Sequence, residues 1–416
     1  HDRYPIWSPD GSRIAWFSDK SGEYTLKIMD RTKENTVETH AIDGTGFYSM
    51  LAWSPDSKKL TFTDNGRRLY WYDPDREKLT EIARDPVYMP GVFGDIRGAW
   101  SPDSKWLAYT VNTEAYFKQL YIYSLEQDKS FALTEGMSEV SDPVFDKSGD
   151  YLYFFGSTDA GPVKHWFAMS NADMEMESNI YLMALNREAA NPLAKESDEA
   201  AIGDEKNEKD KKGEKGDDPD IRVDLDGIEN RIIALPVKAG NLDLLRPGNA
   251  GEIYYLKRNG RTASLQHFSL EKEKESTALE HVVNFNLSAD RKKILYATRN
   301  SLNITNAGPS LKAGEGKLNT SAVSVKIDPR REWKQIFREA WRVNRDYFYD
   351  PNFHRADWQA IRKKYAQFLP HLACRSDLNR VIMWMCSNLV AGHHSTGGGD
   401  MLHDTDRIPG GLLGAD

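Results

Sequence analysis

The pentapeptide Trp7-Ser8-Pro9-Asp10-Gly11 decides the fold, and it stands just before the strand-like segment RIAWF at residues 13–17. Proline presets the backbone for a tight turn, aspartate can bond nearby amides, and glycine permits a positive φ. The apolar and aromatic residues that follow are typical of a β-strand. The pentapeptide therefore predicts a turn between two antiparallel strands.

Copies of this pentapeptide recur at a nearly constant spacing. WSPDS stands at residues 53–57 and again at 100–104, and a weaker copy, FDKSG, stands at 145–149. The three steps, from residue 7 to 53, to 100 and to 145, are 46, 47 and 45 residues. This spacing is close to the length of one four-stranded propeller blade, and a single blade must stack on neighbours to bury both its faces. The repeat predicts a β-propeller with blades like those of TolB-type and WD40 proteins.

Two later segments, residues 251–268 and 285–297, resemble degenerate blades. The sequence between them and the fourth pentapeptide is too long for one blade, and it contains a charged stretch over about 194–220. That stretch has almost no apolar residues, so it cannot offset the entropy of ordering and is predicted to be disordered. We expect a mainly β chain with a six- or seven-bladed propeller over residues 1–325. We leave open that the first blade lacks its outer strands.

The period of the apolar residues changes from two to about 3.6 after residue 325. Three helices are predicted, and the first starts near Pro329 and ends before Pro351. Pro370 stops the second, and Ser376 with Asp377 can cap the third. The residues at helical spacing are apolar or aromatic, with the exception of Asn344. They are Trp333, Ile336, Phe337, Ala340, Trp341, Asn344, Trp358, Ile361, Tyr365, Phe368, Leu378, Val381, Ile382, Met385 and Leu389. A small helical domain is therefore predicted over residues 326–400.

The third predicted helix leads to the only adjacent histidines in the sequence, His393 and His394, and then to the three glycines at 397–399. A histidine held at a helix end, beside backbone without side chains, can serve as a general base, since imidazole ordinarily titrates near pH 6.5. The alternative from the residues alone is a pair of loop histidines beside a flexible turn. The glycines lack the preceding strand and following lysine of a phosphate-binding loop.

A metal site is a further alternative at this turn. His393, His394 and His403, together with Asp400 or Asp404, could meet around zinc. The sequence lacks the helical His-Glu-x-x-His pattern that would favour such a site. We therefore predict no metal and no cofactor.

Composition excludes several classes of protein. The net charge of −8 over 416 residues argues against a nucleic-acid-binding protein, and two cysteines, Cys374 and Cys386, cannot build a disulfide scaffold. We expect both cysteines to be packing residues. No apolar run approaches the roughly 20 residues that cross a bilayer. The sequence opens inside a repeat with no initiator methionine, so we expect a fragment that is open at both ends.

The order of these parts resembles the tricorn-type serine peptidases. The resemblance rests on the repeated pentapeptides, on the helical segment 332–350, on RSDL at 375–378 and on the turn that ends in GGD at 398–400. It covers nearly the whole chain. The pentapeptide alone is unspecific because TolB-type propellers share it. In that family a helical core subdomain follows the second propeller and ends in the catalytic histidine.

The resemblance implies a catalytic role for His393. The family turn reads Ser-His, four residues, then Gly-Gly-Asp, which aligns its histidine with His393 and leaves His394 as the runner-up. The family serine is replaced by Gly392, so its helper role is lost or is taken by Ser395 or a water. Residues 401–416 resemble the linker into a PDZ-like domain, and the nucleophilic serine is expected beyond them.

The resemblance also implies a function. The expected protein is a serine peptidase that degrades oligopeptides through an acyl-enzyme, with the propeller as a sieve or channel, and the fragment alone is expected to be inactive. The family suggests a ring-like homo-oligomer, a hexamer, with no nucleic-acid or membrane partner. A cytoplasmic location is expected, with export as the alternative. The rival function is a non-catalytic, TolB-like protein-binding scaffold, which predicts that no catalytic serine is encoded downstream.

Overall fold

A computed structural model describes residues 1–43, 46–87, 96–115, 117–158, 176–194 and 220–399 of the chain. The chain divides into two compact units, Asp2–Ala322 and a second unit that starts at Val323. The first is built from strands and the second from helices. The predicted charged insertion lies almost wholly outside the described residues, and the predicted linker at 401–416 lies entirely outside them.

Within the described residues, the strands of the first unit form six antiparallel sheets, which we call blades 1 to 6. Blade 1 contains β1 (Asp2–Trp7), β2 (Arg13–Ser18), β3 (Thr25–Asp30) and β4 (Thr36–His40). Blade 2 contains β5 (Tyr48–Trp53), β6 (Leu60–Asp64), β7 (Arg68–Asp73) and β8 (Lys78–Arg84). Blade 3 contains β9 (Ala99–Trp100), β10 (Trp106–Asn112), β11 (Lys118–Ser124) and β12 (Lys129–Ala132). Blade 4 contains β13 (Glu139–Phe145), β14 (Tyr151–Ser157), β15 (Asn179–Ala184) and β16 (Ile232–Ala234). Blade 5 contains β17 (Asn241–Pro247), β18 (Glu252–Asn259), β19 (Thr262–Ser269) and β20 (Lys274–Leu279). Blade 6 contains β21 (Asn284–Leu287), β22 (Lys293–Ala297) and β23 (Leu302–Asn306).

The pentapeptides form the turn between the first two strands of a blade. In blade 2 the Ser54 hydroxyl donates to Asp56 and accepts the N–H of Lys59 at 2.9 Å. Ser54 is fully buried. The counterparts Ser8, Ser101 and Ser288 accept the equivalent N–H at the same 2.9 Å. One serine and one aspartate thus close each of these turns, which explains why the pair recurs in the sequence.

Backbone groups of one blade bond to the turn of the next. The N–H of Asp10 donates to the Ser57 hydroxyl at 3.2 Å, and the N–H of Asp56 donates to the Ser104 hydroxyl at 3.0 Å. The first strands of neighbouring blades also touch, as β1 does β5 and β13 does β17. The first strands therefore form the inner ring of the propeller, and the turns are tied together at one end of it.

The structure confirms the predicted propeller and sets the number of blades at six within the described residues. The suggestion of an incomplete first blade was wrong, because blade 1 has all four strands. Blade 6 is the three-stranded one. Its edge strand β23 is instead bonded by the short segment 316–318, where the N–H of Ile304 donates to the Gly316 carbonyl at 3.0 Å and the N–H of Leu318 donates to the Leu302 carbonyl at 2.8 Å.

The second unit contains three helices, as predicted: α1 (Pro329–Tyr347), α2 (Trp358–Ala366) and α3 (Arg375–Ser387). Asp328 caps α1 through the N–H groups of Arg330 and Arg331, and Asp357 caps α2 through the N–H of Ala360. Nearly all of the predicted apolar positions pack into one core, and its buried residues are Trp333, Phe337, Trp341, Trp358, Leu372, Leu378, Val381, Ile382, Met385, Cys386 and Leu389. Burial of each large side chain is worth about 1.5–3 kcal/mol.

The start of α3 differs from its prediction. The cap residue is Cys374, and the carboxylate of Asp377 accepts its N–H at 3.3 Å and that of Ala373 at 3.0 Å. Ser376 lies inside the helix. Asp377 acts from the third helical position of a capping box, so the helix starts at Arg375, one residue before the serine. Cys374 is therefore a half-buried cap residue, whereas Cys386 is buried in the core as predicted.

Candidate active site

The chain leaves α3 through a short turn that carries both histidines. Leu389 is fully buried in the helical core, its N–H donates to the Cys386 carbonyl at 3.0 Å, and its own carbonyl lies 2.6 Å from Nδ1 of His354. Val390 then takes a left-handed conformation, with φ of 50°. The buried leucine holds the start of the turn, so the residues that follow leave the core at a defined place.

His393 and His394 are both exposed, but their contacts differ. Nε2 of His394 lies 2.9 Å from Oδ1 of Asn344, and its Nδ1 lies 3.4 Å from the Ala391 carbonyl. His393 has a positive φ of 63° and makes no hydrogen bond within the described part of the chain. One imidazole is thus held against α1, and the other has both ring nitrogens available.

Asn344 connects the turn to the helical core. Its Nδ2 donates to the Ala340 carbonyl at 2.9 Å and lies 3.6 Å from the sulfur of Cys386, while its Oδ1 faces His394. Sequence reasoning placed this residue among the packing positions and missed its contact with the histidine. The available signal was a polar residue in an otherwise apolar stripe of α1.

The glycines bring the chain back along α3. The carbonyl of Gly398 accepts Nδ2 of Asn379 at 3.0 Å, and the hydroxyl of Thr396 donates to the Asn379 carbonyl at 3.1 Å. Gly399 has a φ of 101°, and a Cβ there would lie 2.4 Å from Cγ of Arg375. Both the positive φ and the close approach to Arg375 require glycine at this position. Residues 393–396 therefore lie in a loop that is fixed at both ends on the helices.

A groove of about 440 Å³ lies beside this loop, between α1 and α3. Its lining is mostly apolar, and its polar residues include Asn344, His394, Ser395 and Thr396. The residues that line it are Ile336, Glu339, Ala340, Val343, Asn344, Ile382, Met383, Cys386, Ser387, Ala391, His394, Ser395 and Thr396. The groove could accept an apolar group next to His394, one residue from His393.

The other chemical candidates fit this site less well. Burial raises the pKa of the Cys386 thiol to about 11, so the thiol is protonated at neutral pH and is a poor nucleophile. Ser395 makes no hydrogen bond to either histidine within the described residues. Asp400, His403 and Asp404 of the zinc hypothesis lie outside the described residues. Elsewhere in the described chain no group of three side chains could hold a metal ion.

No helix in the described part of the chain is both long and apolar enough to span a bilayer. The helices of the second unit are amphipathic elements that bury one side in their own core.

Two protein-family models match the chain. The tricorn protease second β-propeller domain matches residues 1–308, and the tricorn protease C1 domain matches residues 329–387. The two matches correspond to the propeller and to the three helices. His393 and His394 lie just beyond the second match.

Individual proteins agree with these matches. The chain is 26% identical over 406 residues to a Sulfurisphaera tokodaii protein named as a tricorn-like protease C-terminal subunit, with 94% of this chain and 44% of that protein covered. It is 23% identical over 328 residues to the tricorn protease of Thermoplasma acidophilum, with 73% and 28% covered. A crystal structure of the tricorn protease superposes with a TM-score of 0.77 at 19% identity, covering 96% of this chain and 38% of that one. The chain spans less than half the length of each of these relatives.

Proposed function

The chain belongs to the tricorn protease family, and from this premise we propose that it supplies the general base of a serine-type peptidase. The base is His393. It would take the proton from a nucleophilic serine that lies outside these 416 residues and pass it to the leaving amine of the cleaved peptide. Oligopeptides are the proposed substrates, and the propeller is the proposed channel or sieve through which they reach the site.

The single observation that carries the choice of residue is the difference between the two histidines. A general base needs a ring nitrogen free to approach the nucleophile. Both ring nitrogens of His394 face acceptors of this chain, Asn344 and Ala391, whereas His393 has none within the described residues. His393 is also exposed, so that a serine from another part of the protein can reach it. We assign His394 the role of holding the turn.

The apolar groove beside the histidines supports a peptidase. A peptide bond is presented to a base by binding the side chains that flank it, and an apolar cleft with a few polar groups at its edge is the usual form of such a site. Ala391, Ser395 and Thr396 belong both to the histidine loop and to the groove. A bound side chain in the groove would place its backbone next to this loop.

The experiment compares two single variants in the full-length protease. His393→Ala is expected to lower peptide turnover by about 10⁴-fold or more, since removal of a catalytic histidine has an effect of that order. His394→Gln keeps a side-chain amide within reach of Asn344, and it is expected to lower turnover far less. Circular dichroism of both variants controls for folding.

Each outcome has a definite meaning. Full turnover in the His393 variant rejects the assignment, and loss confined to the His394 variant exchanges the two roles. Turnover that survives both substitutions assigns the general base to a residue other than these two histidines. Absence of turnover in the unmodified full-length protein favours the rival function, a protein-binding propeller without its own catalysis. A ring-like homo-oligomer is part of the proposal, and light scattering of the full-length protein tests for a hexamer.

A further inference from the structure

The propeller contains an open cavity of about 540 Å³ that the proposed chemistry does not use. All six blades contribute to its lining, so it lies at the centre of the ring, at the end where the pentapeptide turns meet. Its ionisable lining residues are Lys147, Arg246 and Arg291, and no carboxylate of the described residues lines it. The cavity is therefore an apolar and aromatic chamber with positive charge only.

Arg246 stands where blades 2 and 3 carry alanine, whereas blades 1, 4 and 6 have Ile6, Val144 and Asn286 there. It lies on the first strand of blade 5, opposite Tyr254 and two residues before the turn. The same register holds Ala52 opposite Thr61 in blade 2 and Ala99 in blade 3. Its Nη1 donates to the neighbouring Leu245 carbonyl at 2.8 Å, and it forms no ion pair within the described chain. The fold does not need arginine at this position.

Arg291 also replaces a small residue. Its N–H donates to the Ser288 carbonyl at 2.9 Å, as the N–H groups of Ser57 and Ser104 do to their own turn serines. All three residues are left-handed, with φ of 63°, 61° and 60°. In blade 6 the turn uses only the backbone of Arg291, whereas the Ser57 and Ser104 hydroxyls also accept an N–H of the neighbouring blade. The long side chain of Arg291 is therefore free to line the cavity. It forms no ion pair with any described residue.

The two guanidinium groups repel each other. Burial lowers the pKa of Arg246, with Asp142 and Asp243 acting against this and Arg97 adding to it. Burial lowers the pKa of Arg291 too, and the charge of Arg246 lowers it further. Both groups remain cationic because guanidinium is deprotonated only at far higher pH. An anion in the cavity would relieve this repulsion and replace lost hydration.

We propose that Arg246 and Arg291 form a carboxylate-binding site in the propeller channel, which holds an acidic group of a peptide. Guanidinium binds carboxylate through two parallel N–H···O bonds, and a partly buried setting strengthens them. A cavity of about 540 Å³ has room for a short peptide segment. The choice of a peptide as the carrier of the carboxylate rests on the proposed function; the anion site itself follows from the two arginines.

The test measures equilibrium binding of three N-acetylated hexapeptides to the intact chain by titration calorimetry. The first has neutral side chains and a free C-terminal acid, the second is its C-terminal amide, and the third is the amide with one glutamate. At least one acid-bearing peptide is expected to bind about tenfold or more tightly than the neutral amide. Which one it is tells whether the site holds a terminal or a side-chain carboxylate.

The variants are chosen so that the fold tolerates them. Arg246→Ala and Arg291→Ser install the residue types that blades 2 and 3 carry at these positions, and each is expected to abolish the preference for the acid. Arg261→Gln removes the same charge from the exposed hairpin of blade 5, outside the cavity. This variant should keep the preference for the acid. Arg246→Lys keeps the charge but removes the planar guanidinium that can donate two parallel N–H bonds to a carboxylate, so it should give an intermediate preference.

Equal binding of all three peptides, no binding of any of them, or an acid preference that survives both arginine substitutions would overturn the site. The titration needs no turnover, so its result is separate from that of the histidine variants. A peptidase without the acid preference would leave the proposed function intact, and an acid preference in a protein without peptidase activity would leave the site intact.

Discussion

The turn serine of blade 2 offers a quantitative test of what holds the propeller together. Ser54→Ala removes a fully buried hydroxyl that accepts the Lys59 N–H at 2.9 Å and donates to Asp56. Two hydrogen bonds are lost at roughly 1 kcal/mol each, and a buried N–H left without its partner costs about 1–3 kcal/mol more. Since part of that cost is already counted in the first bond, we expect a loss of about 2–4 kcal/mol.

Blade 6 contains the matched control. Ser288 accepts the Lys293 N–H at the same 2.9 Å and donates to Asp290 at 2.6 Å, but these bonds are exposed to solvent. Water can replace the hydroxyl there, so Ser288→Ala should cost only about 0.5–1 kcal/mol. The two substitutions delete the same atoms from the same turn geometry, and only the burial differs.

Guanidinium denaturation of the whole chain, followed by the β-sheet circular dichroism signal, measures both free energies of unfolding. Hydrogen exchange at the Lys59 amide gives a local check, because that N–H should lose protection in the Ser54 variant. Equal losses for Ser54→Ala and Ser288→Ala would refute the view that burial makes the turn serine valuable. A loss below about 0.5 kcal/mol in both would show that the turn serines do not stabilise the propeller.

Two other perturbations test individual features. Burial raises the pKa of Asp56, but its hydrogen bonds bring the net value below the ordinary 3.8. The stabilising contribution of Asp56 should therefore be present above about pH 4 and be lost as the pH falls through its lower folded pKa. The free energy of unfolding, measured by denaturation at pH 5 and at pH 3, should differ less in Asp56→Asn than in the wild type. Gly156→Ala would place a Cβ 2.8 Å from the Tyr181 ring, so we expect the protein to lose about 1–3 kcal/mol of stability, measured by thermal unfolding. The control is Gly308→Ala, where a Cβ meets open space and the stability should hardly change.

The propeller could be predicted because its main signal is local and repeated. Each pentapeptide closes its own turn by bonds between residues two and five positions apart, so the sequence carries the geometry directly. The number of blades was harder, since blades 5 and 6 have lost the tryptophan of the repeat. Pro247 and Leu287 stand in its place. Without the tryptophan, blade 5 could be recognised only by its strand pattern, and blade 6 by its strands and the remaining Ser288 and Asp290.

The candidate site could be predicted only in part. The pair of histidines was singled out by its position after an apolar helix and before glycines, which is information along the chain. The resemblance to the family then favoured His393 over His394. The contact of His394 with Asn344 joins residues 50 positions apart, and nothing local announces it. The same holds for Arg246 and Arg291, which reach one cavity from two blades. Long-range encounters of this kind depend on how the blades stack, so they emerge only from the folded chain.

The bonds that join neighbouring turns have a consequence for how such rings can grow. At each of these joints one blade offers a backbone N–H, as at Asp10 and Asp56, and the next offers the hydroxyl of Ser57 or Ser104. Every residue except proline has the backbone donor, so the joint depends on one side chain per unit. A duplicated gene segment encoding one blade would bring along both halves of the coupling. Rings of this kind can therefore be lengthened by copying, with little need to redesign the units on either side.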